Sequence, residues 1–172
     1  MKTATYMVFP KTFMDTMLSE REMERAPELN DFYLDNVIFN DGALILVGEQ
    51  FYVTERVNTD INTGRVIVEN IYHYDDIIVT RLEMTGKIAW SQRVAKEQYS
   101  STEYDRCGYN VFLRDTTLAF VFNDDKENTS LLLKDPKARL ESWNGSRTST
   151  ITLVELNNIG VALRSTLATD EV

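Results

Sequence analysis

Near the start of the chain the apolar positions recur at helical spacing. Phe13, Met14, Met17 and Leu18 fall on one side, charged residues cover much of the rest, and Pro27 follows. The pattern predicts a short amphipathic helix from Thr12 to Arg25. Its methionines read as packing against a sheet or, alternatively, as a face for a partner.

From Phe32 the pattern becomes that of strands. Val37-Ile38-Phe39 is a β-type run, and Asn40-Asp41-Gly42 is turn chemistry. Leu44 to Val47 is continuously apolar, as in a strand buried on both faces. Another strand runs from Asp76 through Ile77, Ile78 and Val79 to Leu82, and Thr85-Gly86 marks a tight turn. Lys87 to Val94 then alternates. Ile88, Trp90, Gln92 and Val94 share one side, and Lys87, Ala89, Ser91 and Arg93 the other, as in a half-exposed outer strand.

The same order returns 74 positions later. That shift pairs Asp41 with Asp115, Val37 with Val111, Leu44 with Leu118 and Val47 with Val121. It also pairs Ile77 with Ile151, Leu82 with Leu156 and Gly86 with Gly160. The matches fall on turn and core positions, so the chain reads as two copies of one four-stranded unit. In the last strand the shift sets Trp90 opposite Arg164, which reverses the alternation. A one-residue bulge after Gly160 would restore it.

The expected fold class is therefore all-β: two four-stranded antiparallel units resembling propeller blades, preceded by a short helix. An eight-stranded sandwich is the alternative. The expected organisation is an N-terminal segment over residues 1–30, a first repeat over 31–104 and a second over 105–172. Extra length relative to compact blades is assigned to polar loops, Glu55 to Tyr74 and Lys126 to Ser149. Two blades cannot close a ring, because propellers need about four or more. Three solutions follow: a piece of a longer protein, assembly with copies of itself, or a sandwich. Each treats exposed strand edges differently.

The ordered segments Phe32-Tyr33-Leu34-Asp35-Asn36, Gly48-Glu49-Gln50-Phe51-Tyr52 and His73-Tyr74-Asp75-Asp76-Ile77-Ile78-Val79 form a recognisable set. Gly86-Lys87-Ile88-Ala89-Trp90, Lys96-Glu97-Gln98 and Phe122-Asn123-Asp124 follow in order. The run resembles the C-terminal part of a group of uncharacterised proteins of Bacteroidetes bacteria, most of them longer and carrying an export signal. The resemblance covers residues 30–168 and implies propeller-like repeats and a periplasmic or cell-surface location. It supplies no activity. The Gly-Gly pair often seen in the first turn of that group is Asp41-Gly42 here.

Composition narrows the function further. The chain has 172 residues, a net charge of −9 and scattered Lys and Arg, so it offers no basic stripe for nucleic acid or anionic membranes. Cys107 is the single cysteine, which removes an internal disulfide. The first residues, Met1 to Met7, lack the apolar core of a signal peptide, so a cytoplasmic location stays open, and no apolar run is long enough for a transmembrane segment.

Candidate chemistry gathers after the buried strands. Glu49 and Gln50 follow one, Asn123 and Asp124 hold the equivalent places 74 positions on, and Asp125 comes next. His73, Asp75 and Asp76 precede the neighbouring strand. The candidate ligand-binding set is therefore Glu49, Gln50, Asp76, Asn123 and Asp124. Oxygen ligands of this kind could take calcium, paired carboxylates could act on a glycoside, or the group could form a polar binding face. The plain alternative is strand-end Asx-turns. A calcium loop with its interior Gly and terminal Glu is missing, and the one histidine excludes multi-His zinc and the usual Ser-His-Asp machinery. No other metal or cofactor is implied, and no catalytic residue is assigned.

Trp90, Trp143, Tyr99, Tyr104 and Tyr109 are candidate sugar-stacking surfaces, although aromatics in this number more often cover sheets. Asn128-Thr129-Ser130 and Asn144-Gly145-Ser146 fit the glycosylation pattern and read as exposed loops. The leading expectation is a non-enzymatic binding or scaffolding module of the bacterial envelope, with a protein or glycan partner or a homo-oligomer. The alternatives are a carbohydrate-binding or glycoside-processing enzyme working through Glu49 with Asp76 or Asp124, and a structural segment of a larger propeller.

Overall fold

The computed structural model describes residues 8–25, 27–102, 106–145 and 148–169. Tyr104, Ser146 and the Met1–Met7 start lie outside the described residues.

The N-terminal pattern makes two helices rather than one, α1 (Lys11–Met17) and α2 (Glu20–Arg25). The break has a local cause. The Ser19 hydroxyl and backbone N–H both donate to Glu22 Oε2, at 2.6 and 2.8 Å, and Glu22 N–H returns a bond to Ser19 Oγ. This reciprocal capping box starts a new helix at Ser19.

Two antiparallel sheets follow. The first contains β1 (Phe32–Asn40), β2 (Ala43–Thr59), β3 (Val66–Glu83) and β4 (Ile88–Val94) in that order, with the short β5 (Gln98–Ser100) paired to β3 beyond the end of β4. The second contains β6 (Asn110–Arg114), β7 (Thr117–Asp125), β8 (Ser149–Leu156) and β9 (Ala162–Thr169). Neither sheet closes on itself. Asp41 at φ 48° and Gly42 at φ 64° make the left-handed pair of a two-residue hairpin, whereas in the β6–β7 turn Asp115 alone is left-handed, at φ 54°.

The stretch expected as a polar loop, Glu55 to Tyr74, is mostly paired strand. β2 continues to Thr59 and β3 starts at Val66, so the hairpin extends beyond the sheet as a two-stranded arm. Val53, Val57, Ile67 and Val68 supply the β-branched residues that favour this. Its counterpart, Lys126 to Ser149, carries α3 (Asn128–Lys134) and then a segment that joins the first sheet, where Tyr99 N–H donates to Trp143 O and Trp143 N–H to Glu97 O, both at 2.9 Å.

The hydrogen-bonded register has a regular offset. Leu44 pairs with Leu82 and Leu118 with Leu156, and Glu49 pairs with Ile77 and Asn123 with Ile151. Each second pair lies 74 positions beyond the first. In the first sheet the irregular residue of the outer strand lies next to the turn, whereas in the second it lies at the far end of β9, where Ile151 pairs with Ala168 and Thr152 with Thr166, and not directly after Gly160. Arg81 pairs with Trp90 and Leu82 with Ile88, so the shift skips Ala89, whereas Glu155 with Leu163 and Leu156 with Ala162 run without a break. The bulge also turns Ile88 away from Trp90, Gln92 and Val94, the face the alternation assigned to it, and sets it beside Leu82.

The main core lies between the sheets. Ile45, Val47, Ile77, Val79 and Val94 of the first sheet meet Leu118, Phe120, Phe122, Val154 and Leu156 of the second. Removing these side chains from water is the main contribution holding the layers together, about 1.5–3 kcal/mol for each large aliphatic or aromatic side chain. On the opposite face of the first sheet, Phe13 and Met14 of α1 pack against Ile78, with Phe9, Met17, Leu29 and Phe32 around them. The helices cover that face only in part, so Leu44 and Leu46 remain half-buried instead of enclosed on both sides.

Candidate functional site

The paired registers of β2 and β3 break at one place. Glu49 pairs with Ile77 but Phe51 pairs with Tyr74, leaving Gln50 opposite Asp75 and Asp76 in a bulge. Opposite the same bulge, the outer strand is interrupted between β4 and β5. A strand that loses its regular partner there can turn polar side chains inward, and Lys96 does so with 1% of its surface exposed.

Lys96 is the centre of a buried polar chain. Its Nζ lies 2.9 Å from Glu49 Oε1, donates to Gln98 Oε1 at 3.0 Å and also donates to the Tyr74 carbonyl. Gln98 Oε1 accepts from Gly108 N–H at 2.7 Å, while its Nε2 donates to the Asn123 carbonyl at 2.6 Å. The chain thus runs from the first sheet into the second. Burial pushes the Lys96 ammonium below its ordinary pKa and the Glu49 carboxyl above its own, while their mutual attraction opposes both shifts.

The remaining expected residues divide among separate contacts. Asp76 pairs with Arg93 Nε at 2.8 Å, beneath the helices, where Arg93 also donates to Thr16 O. Gln50 stands on that helical side and donates to Asn30 O. Asn123 turns its amide to Arg106 O at 2.8 Å. Asp124 is 1% exposed and takes Arg164, Thr152 and Asn128 as donors, with Thr152 at 3.0 Å and Asn128 at 2.7 Å. Arg164 in turn donates to Ala95 O at 2.7 Å and lies over the Phe122 ring, joining the sheets a second time. Of the five residues, Glu49 and Asn123 share a network through the Lys96 and Gln98 side chains, and Asp76 touches it where its Oδ1 accepts the Lys96 backbone N–H at 3.3 Å. Among the described residues no group of three or more His, Cys, Asp and Glu is arranged to hold a metal ion.

A surface groove opens beside this network, with a volume of about 430 Å³. The rings of Tyr52 and His73 stack at 4.5 Å and 7°, and Tyr99 lies 6.3 Å from His73. Thr54 Oγ1 contacts His73 Nε2 at 2.9 Å, and Glu97 accepts from the Ser142 hydroxyl. Burial lowers the His73 pKa and so favours the neutral ring, against the opposing pull of the Glu97 carboxylate. Behind the groove, Tyr52 donates to Asp75 Oδ2 at 2.9 Å, and the buried Asp75 Oδ1 has no hydrogen-bond partner. Desolvation raises the Asp75 carboxyl to about 6.

Lys96, Arg93 and Arg164 were not among the expected site residues. Lys96 and Gln98 continue the parity of Trp90, Gln92 and Val94, so alternation alone aims them inward. A lysine at such a position is ordinarily assigned to solvent, because lysine is almost never fully buried without a partner. Of the proposed stacking aromatics, Tyr99 borders the groove and its hydroxyl accepts from Asn144, Trp143 is buried and donates to Ser149, and Tyr109 donates to Asp35.

Comparison with known proteins returned no match to a family model, to a curated protein or to a solved structure. No helix among the described residues is long and apolar enough to cross a membrane.

Proposed function

We propose that this chain is a non-enzymatic binding or scaffolding module, built from two copies of a blade-like sheet and working in the bacterial cell envelope. One observation carries the non-enzymatic reading: the three carboxylates of the candidate site, Glu49, Asp76 and Asp124, are each buried against a cation. Glu49 is held by Lys96, Asp76 by Arg93 and Asp124 by Arg164. A glycosidase needs two carboxyl groups flanking one substrate bond, one of them free to move a proton. These three serve to hold the sheets and helices together. The envelope location rests on the resemblance in sequence order, and the repeat rests on the shared 74-residue offset of the registers.

The test is incubation of the purified protein with panels of glycans and envelope proteins, read for binding and for product. Binding without turnover is the expected result. Hydrolysis of any glycan at an enzyme-like rate, abolished by Glu49→Gln, overturns the proposal.

The groove at Tyr52, His73 and Tyr99 favours a second reading, a glycan as the bound partner. Aromatic rings beside Glu97, Ser142 and Arg56 present the mixed apolar and hydrogen-bonding surface that a sugar uses. Tyr99→Ala should then lower glycan affinity by about tenfold, or about 1.4 kcal/mol. Unchanged binding in that variant removes the groove from consideration.

A further inference from the structure

The two sheets bury opposite faces of equivalent strands. In the first sheet the inward residues are Ile45, Val47, Ile77 and Val79. Their equivalents 74 positions on are Ala119, Val121, Ile151 and Leu153, which lie on the outward face of the second sheet, with Ile151 40% exposed. Conversely, the inward Leu118, Phe120, Val154 and Leu156 of the second sheet correspond to Leu44, Leu46, Thr80 and Leu82, on the outward face of the first. The sheets therefore stack front to back, in one direction, and not as two like faces brought together.

Such a stack leaves one surface of each kind unused. On the first sheet, Leu34, Val37 and Phe39 are 61%, 56% and 65% exposed beside Leu46, Leu82 and Ile88. Leu46, Thr80, Leu82 and Ile88 line a groove on this face, and the helical cluster closes its other side at Phe9, Leu29, Phe32 and Ile78. On the second sheet, Phe112 and Leu163 are 58% and 63% exposed beside Ala119, Val121 and Leu153. Contiguous apolar surface on a soluble chain marks an interface. Here the contact already formed inside the molecule specifies the partner surface, because each open face is the register equivalent of one that the other kind already covers.

We propose that a second copy of this chain seats the outward face of its second sheet on the outward face of the first sheet, repeating the internal contact between molecules. The inference rests on reading the two sheets as copies of one unit. The contact is head to tail, so it propagates until the rotation closes a ring. Two to four chains would supply four to eight sheets, the range in which propellers close.

Light scattering and sedimentation of the full chain, up to about 1 mM, provide the test. The expected species has a mass that is an integer multiple of the 19.8 kDa chain, two or more. Phe39→Asp and Leu163→Asp alter exposed positions on opposite faces, and their folding is checked by unfolding curves. Each alone should be monomeric, and a mixture should form a 1:1 complex, since each keeps the face that the other has lost. A wild-type monomer at the highest concentration overturns the head-to-tail contact, while the panels above still test the interaction module separately. Association retained in both variants, or no complex on mixing, overturns it as well. A dimer lost in only one variant points to a symmetric contact of one face and rejects the proposal.

Discussion

Lys96 Nζ lies 2.9 Å from Glu49 Oε1, with the lysine side chain wholly removed from solvent. The pair joins the broken edge of the first sheet to the bulge inside β2, and Gln98 extends it to the second sheet. Lys96→Met leaves Glu49 buried without its cation and should destabilise the fold by about 3–5 kcal/mol. Adding Glu49→Leu removes the orphaned charge and should recover much of that loss. Urea unfolding of both variants measures this. A single variant as stable as the parent would mean that the pair contributes nothing.

Asp75 gives the fold a pH dependence of definite sign. Its folded pKa is about 6 against an ordinary 3.8, because desolvation disfavours the carboxylate. The folded chain therefore holds the proton more tightly than the unfolded one, and stability falls as pH rises from about 4 to about 6. The cost at pH 7 is on the order of 2–3 kcal/mol. Glu49, Asp35 and Asp76 are shifted upward as well, so their slopes add to it. Asp75→Asn should flatten the profile and raise the midpoint at pH 7, as thermal unfolding at pH 5 and 7 will measure. A profile as steep as the parent's would reject the assignment to Asp75.

Gly160 and Trp90 form the contact at the far end of the sheets. Gly160 has φ 82°, and a Cβ built there would stand 2.9 Å from Trp90 Cδ2. The indole N–H donates to Asn158 O at 2.9 Å, fixing the ring over the β8–β9 turn. Gly160→Ala combines left-handed backbone strain with a clash and should cost more than about 1 kcal/mol. Tryptophan fluorescence should report movement of the indole. An unaltered spectrum with unaltered stability would show the turn to be free of Trp90.

Ser19→Ala tests whether the two helices are distinct elements. Losing the capping box should cost about 1 kcal/mol. The main core contains none of the helical residues, so the far-ultraviolet signal should lose helix while the sheets persist. Cooperative loss of the whole fold at the same denaturant concentration would show that the sheets need the helices.

Local chemistry determined much of this protein from sequence alone. The Asp41-Gly42 turn, the paired apolar strands and the helical start follow from residue preferences acting over a few positions. Glu49 and Asp124 were recognisable as unusual because they follow apolar runs, although only Asp124 lies near the end of its strand and Glu49 lies inside β2. Their partners were not, since Lys96 is 47 positions and Arg164 40 positions away. Only stacking of the sheets decided that these carboxylates are held by cations and which face of each strand is buried. It also decided that Ile88 turns away from Trp90 at the Ala89 bulge. Alternation states that a strand has two faces, but which of them loses its water depends on what the rest of the chain brings against it.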